Sequence, residues 1–153
     1  MDIRPYQASD ANVLTELFYN TIHAVGIEHY TKAQVDAWAP LPIDYPKWHQ
    51  RFDACPPWIG IIDDNIAGFI TLADDGYIDL AYTDSRYQRR GVATALYKHI
   101  EALAIAQEIK TLTVNASYFA KPFFVKHGFT VLTKNDNIRN GKVLVNFTMT
   151  KAL

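Results

Sequence analysis

Two rhythms of apolar and polar positions run along the chain. Val13, Leu14, Leu17, Phe18, Ile22 and Val25 recur every three to four residues, one face of an amphipathic helix, with Ser9 placed to cap its start and Gly26 to end it. Val92, Leu96, Ile100 and Leu103 repeat that rhythm and predict a long helix from Gly91 to about Gln107. Thr31-Lys32-Ala33-Gln34 has capping-box spacing and opens a short helix through Val35 and Trp38. Pro40, Pro42, Pro46, Pro56 and Pro57 then punctuate the chain, leaving room for a short helix around Trp48 and Phe52. Phe119–Lys126 reads as helical, with Gly128 as its stop.

The second rhythm is that of strands: Ile3–Tyr6, Trp58–Asp63, Ile66–Ala73, Tyr77–Thr83, Thr111–Asn115, Phe129–Thr133 and Lys142–Thr150. Asp63-Asp64-Asn65, Asp74-Asp75-Gly76 and Asn140-Gly141 supply turns at hairpin spacing. The order is β-α-α-β-β-β-α-β-α-β-β. Consecutive hairpins with one strand–helix–strand crossover predict an α/β (α+β) fold, a mixed sheet with helices on its faces. At 153 residues the expectation is a single domain spanning 1–153, with the proline zone as a substrate-side insertion.

Composition narrows the function. Fifteen Lys and Arg against sixteen Asp and Glu give a net charge of −1, which argues against a nucleic-acid partner. Cys55 is the only cysteine, which excludes an intrachain disulfide and a cysteine-based zinc site. His49, His99 and His127 have no metal-ligand spacing, so no metal is expected. The start, MDIRPYQASD, lacks a basic-then-apolar leader, and no apolar run approaches the ~20 residues of a membrane helix. The expectation is a soluble cytoplasmic protein with no membrane partner.

One segment carries chemistry. Tyr77-Ile78-Asp79-Leu80-Ala81-Tyr82 reads as a strand, followed by a basic loop with Arg86, Gln88, Arg89, Arg90 and Gly91 that opens the long helix at Val92-Ala93-Thr94. The first turn of a helix offers free amides and the positive end of its dipole. Gly91 allows close backbone approach, and the arginines add charge, together a cradle for a pyrophosphate. The alternative is a solvated basic helix start with a packing glycine. The spacing fits neither the dinucleotide fingerprint nor the triphosphate loop.

Gln88-Arg89-Arg90-Gly91-Val92-Ala93 resembles the Gln/Arg-x-x-Gly-x-Gly/Ala motif of the GNAT superfamily of acyl-CoA N-acyltransferases. The likeness covers nearly the whole chain, with Ala120…Phe123-Phe124…Gly128-Phe129 at the family's later spacing. His29-Tyr30-Thr31 with Ala37-Trp38 also resembles a bacterial branch of small members. The resemblance implies a mostly antiparallel central sheet, splayed between its central strands, with acetyl-CoA as co-substrate. In that frame the amides of Arg89 to Thr94 bind the pyrophosphate. Leu80, Ala81 and Tyr82 pair with the pantetheine arm, and one of their amides faces the thioester carbonyl. Asn115 and Ser117 reach the pantetheine or the adenosine side. The acceptor is an amine of a small molecule or a peptide. Family members are often dimers, which leaves a homodimer open.

An amine attacks only when neutral, and a lysine-like amine has a pKa of about 10.4, so a base is useful. Asp79 is the first candidate, because strand alternation places it with Tyr77 and Ala81 on one face. Its alternative role is as the partner of a loop or an arginine. His23 and His29 are further base candidates on the acceptor side, with Tyr30 and Trp38 as pocket walls; capping and core packing are their alternatives. The family's leaving-group tyrosine is replaced by Phe124, and its asparagine by Ser117. Tyr118 or Tyr82 then stands in as the acid, or water does. The expected reaction is transfer of acetyl to a primary amine in a ternary complex; the rival is a non-catalytic acyl-CoA-binding sensor or protein-interaction module.

Overall fold

A computed structural model describes residues 1–153. In chain order the elements are β1 (Asp2–Pro5), α1 (Ala11–Val25), α2 (Lys32–Trp38), α3 (Tyr45–Ala54), β2 (Trp58–Ile62), β3 (Asn65–Ile70), β4 (Tyr77–Ile78), β5 (Ala81–Thr83), α4 (Val92–Ala106), β6 (Thr111–Ala116), α5 (Lys121–Lys126), β7 (Thr130–Arg139) and β8 (Lys142–Ala152). The strands form two four-stranded sheets, ordered β1-β2-β3-β5 and β4-β6-β8-β7. Every pairing is antiparallel except that of β4 with β6.

The seam between the sheets lies in the segment expected as one strand, Tyr77–Thr83. Tyr77 and Ile78 pair with Thr113 and Val114 of one sheet, while Ala81, Tyr82 and Thr83 pair with Ile70, Phe69 and Gly68 of the other. The two residues between them leave the ladder. Their turn is fixed by Thr71, whose amide donates to the Leu80 carbonyl (2.9 Å) and whose hydroxyl accepts from the Leu80 amide (3.0 Å). This break corrects the reading of one continuous strand and produces the splay.

The helices cover the sheet faces around two apolar clusters. Leu14, Phe18 and Ile22 of α1 pack with Phe52 of α3 and Phe69 of β3, while Leu96, Tyr97 and Ile100 of α4 pack with Leu112 and Met149. Helix α4 sits close on β3 because residue 68 is glycine: a Cβ there would lie 2.8 Å from the Tyr82 carbonyl oxygen and 2.9 Å from Val92 Cγ1.

Several local expectations hold and others move. The Thr31 and Gln34 side chains make the reciprocal capping bonds, and Asp63, Asp64, Asn140 and Gly141 all take the positive φ of tight hairpin turns. Ser9 does not cap α1; it lies inside a 3₁₀ turn, Ala8–Asp10, that precedes the helix. The organiser is Asp10, which accepts two bonds from the Arg4 guanidinium (2.8 Å each) and one from the Gln7 amide (2.8 Å). Val13 is exposed, and Tyr97 rather than Leu103 belongs to the core of α4. Strand β7 runs on to Arg139, past the apolar stretch that marked it in the sequence.

The Arg4 guanidinium holds the Asp10 carboxyl below its ordinary value of 3.8. The folded pKa is thus the lower one, so the stabilisation is full above pH 3.8 and is lost as pH falls through the folded value. Asp10→Ala is expected to lower unfolding free energy by about 2–3 kcal/mol at pH 7, and by progressively less below pH 4, in urea melts at a series of pH values.

Candidate active site

Helix α4 begins without a side-chain cap, so the amides of its first turn have no partner there. The residues before it prepare an anion cradle. Arg89 (φ 61°) and Gly91 (φ 79°) both take left-handed backbone, which turns successive amides toward one side. A Cβ on Gly91 would meet nothing within 4 Å, so the space in front of the turn is open. The Arg86 guanidinium is spent on Asp84, through bonds of 3.1 and 2.9 Å that hold that carboxyl below the usual range. Arg89 and Arg90 have no carboxylate within 4 Å, and Arg90 lies over the Tyr87 ring, 5.4 Å from its centroid. These residues fit a pyrophosphate.

An apolar hollow of about 160 Å³ continues from this turn, walled by Gln88, Ala93, Leu96, Ala81 and Tyr82 on one side and by Phe119, Ala120, Phe123 and Phe124 on the other. Gln88 is held by a bond from its Nε2 to the Thr83 carbonyl (3.0 Å). Along β5, the Leu80 carbonyl accepts from Thr71 and the Asp84 amide donates to the Ala67 carbonyl, both toward β3. Antiparallel alternation then turns the polar backbone atoms of Ala81 and Thr83 the other way, into the splay. Of the three amides named from the sequence, Leu80 is committed to Thr71 and Tyr82 faces β3. Ala81 is the one presented to the gap.

Beyond Tyr82 lies a second cavity of about 300 Å³, and Tyr82 lines both. Its walls include Tyr77, Asp79, Leu80, Asn115 and Ser117 from the seam, Phe18, Tyr19 and Trp38 from the N-terminal helices with Tyr30 from the bend between them, and Asn137 and Arg139 from the β7–β8 hairpin. Burial pushes the Tyr82 phenol well above the usual tyrosine value, so it stays protonated. Asp79 reaches this cavity, where its carboxylate accepts from Arg51 (2.9 Å), whose guanidinium lies over the Trp48 ring at 4.4 Å. Asn115 donates to the Tyr77 hydroxyl (3.2 Å) and accepts from Thr148 (2.7 Å). The Ser117 hydroxyl accepts from the Ala120 amide (3.2 Å) at the turn into α5.

The structure separates the other candidates. The Tyr30 hydroxyl donates to the Val145 carbonyl (2.7 Å) and accepts from the Tyr118 amide (3.0 Å), and burial raises its pKa. Trp38 packs edge-on to Tyr30 at 5.3 Å. Tyr118 lines neither cavity; its ring lies between Tyr30 and Phe147. His23 bonds the Ala39 carbonyl at the end of α2 (2.9 Å), and His29 stacks on Phe119; neither lines either of these two cavities. Sequence reasoning missed Lys47, Arg51, Asn137 and Arg139. Two signals were there. Trp48 and Arg51 sit three apart on one helix face, and Asn135, Asn137 and Arg139 alternate along a strand otherwise read as loop.

Comparison with known proteins agrees with this geometry. The family model described as an acetyltransferase (GNAT) domain matches residues 27–151. The uncharacterized N-acetyltransferase YafP of Escherichia coli (strain K12) is 34% identical over 149 residues, covering 97% of this chain and 94% of that protein. A solved GCN5-related N-acetyltransferase from Rhodopseudomonas palustris, also described as an aminotransferase, class-II, superposes with a TM-score of 0.94 at 34% identity, covering 99% of this chain and 95% of that one. The PaiA N-acetyltransferase of Thermoplasma acidophilum, solved in complex with coenzyme A, has the same fold, with a TM-score of 0.77, 18% identity, and 99% and 98% coverage.

Tyr30 ties the N-terminal helices to β8 across the cavity. Tyr30→Phe keeps the ring but leaves the Val145 carbonyl and Tyr118 amide without their partner, and is expected to cost about 1–3 kcal/mol of stability, read as a lower midpoint in thermal or urea unfolding.

Proposed function

The chain belongs to the GNAT family of acetyltransferases, and from that premise we propose that it moves acetyl from acetyl-CoA to a primary amine of a small molecule or peptide, by direct attack in a ternary complex. The observation that carries this reading is the meeting of two cavities at Tyr82, one running to the uncapped start of α4 and one opening on the opposite side of the seam. A ternary complex needs that arrangement: donor and acceptor enter separately and react at the junction.

Acetyl-CoA supplies an activated thioester. The amides of Arg89 to Thr94, with the α4 dipole behind them, take its pyrophosphate. The Ala81 amide, free on the splay side, donates to the carbonyl oxygen as charge develops there. Asp79 accepts the amine's proton through water, with Arg51 fixing its position. Tyr82 donates a hydrogen bond at the junction. Its raised pKa lies above the ~8.5 of a free thiol, so it steadies a departing thiolate without giving up its proton. The proton that completes the thiol then comes from water, which suits a site with Phe124 where many members of the family carry a tyrosine acid. Phe124 also supports the second reading, an acyl-CoA-binding module without turnover.

Free-thiol release from acetyl-CoA across a panel of primary amines decides between these two. Amine-dependent release is expected; tight coenzyme binding with no release on any amine selects the binding module. Gly91→Asp is expected to weaken coenzyme A binding tenfold or more by calorimetry, because it puts a carboxylate beside the phosphates and a side chain on left-handed backbone. Unchanged affinity in a folded variant overturns the assignment of this turn.

A further inference from the structure

The charges of the larger cavity do not balance. Lys47, Arg51 and Arg139 line it against Asp44 and Asp79. Both carboxylates are engaged: Asp79 holds Arg51 (2.9 Å), and Asp44 caps α3 by accepting from the Lys47 amide (3.2 Å). No carboxylate lies within 4 Å of the Lys47 ammonium or the Arg139 guanidinium. Arg139 is brought there by construction. Asn140, at the hairpin tip, donates to the Ala37 carbonyl (2.8 Å), and Gln34 donates to the Val143 carbonyl (2.8 Å), so the hairpin is tied down over the cavity.

Resting on the reading of this cavity as the acceptor's, we propose that the acceptor is an amino-acid-like molecule, a primary amine that carries its own carboxylate. Arg139 takes the carboxylate in its planar fork, with Lys47 adding charge, while Asp79 draws the amine toward the Tyr82 junction. Phe18, Trp38 and Leu144 give an apolar wall for the rest of the molecule. A polycationic acceptor is served less well: it meets the two free cations, and Asp79, whose Oδ2 is held by Arg51, has one oxygen left for a single amine. A volume of about 300 Å³ also suits a small molecule, at the lower end of ligand pockets.

The test is free-thiol release with wild type on matched trios: L-phenylalanine, L-phenylalaninamide and phenethylamine, then the same trio built on leucine and on methionine. At least one amino acid is expected to exceed its amide and its decarboxylated amine tenfold in kcat/KM. Arg139→Gln should abolish that preference, mostly through KM, and Arg139→Lys should keep part of it, with coenzyme A affinity unchanged in both. Three results overturn the proposal: amides or plain amines that match the amino acids, a preference that survives Arg139→Gln, or no turnover of any trio by a protein that binds coenzyme A. Wild type that fails to bind coenzyme A at all overturns the underlying reading, and the proposal with it.

Discussion

A strand has two edges, and β5 uses one of them. The whole arrangement follows from that inequality. Residues 77–78 are paired with β6 and residues 81–83 with β3, and no stretch of backbone is shared by both sheets. Past the break at Asp79 and Leu80, the outward edge of β5 has no strand beside it: the Thr83 carbonyl is met by the side chains of Gln88 and Thr21, and the polar groups of Ala81 face a gap. Buried backbone without a partner is costly, so such an edge is retained only where water or a ligand meets it. Thr71 stabilises the break by holding both polar atoms of Leu80, leaving Ala81 as the first free position.

The two sides of the seam are tuned differently. The α4 side offers positive backbone ends, two arginines without acid partners and an apolar trench, a combination for a long ligand with charge at one end. The other side is aromatic below and charged above, with Arg51 held between Asp79 and Trp48. Tyr82 is common to both and is packed by Phe18 and Phe69, so its position is set by the core rather than by solvent.

How much of this was legible in the sequence depended on how local the cause was. The long helix, its glycine start and the Thr31 capping box were readable because each depends on a few adjacent residues. The break in Tyr77–Thr83 was not, because alternation of Tyr77, Asp79 and Ala81 looks the same whether a strand continues or changes sheets; the deciding partner, Thr71, lies nine residues away from Leu80. Asp79 was found as an unusual acid in an apolar run, and its partner Arg51 was not, since that contact spans 28 residues. His23 and His29 were plausible by type, and their packing took them to a helix end and to a phenylalanine face. Arg139 hid in a polar tract that resembles loop until β8 is laid beside it.

The ties that close the larger cavity have a consequence for how the protein is made. Tyr30 to Val145, Gln34 to Val143 and Asn140 to Ala37 join positions 115, 109 and 103 residues apart. Contacts that distant form late, after the local helices and hairpins are in place. In order of synthesis, Tyr30, Gln34 and Ala37 all precede their partners on the last hairpin. A chain that ends before residue 140 contains the turn at Gly91 and all of α4, and lacks the hairpin that closes the larger cavity.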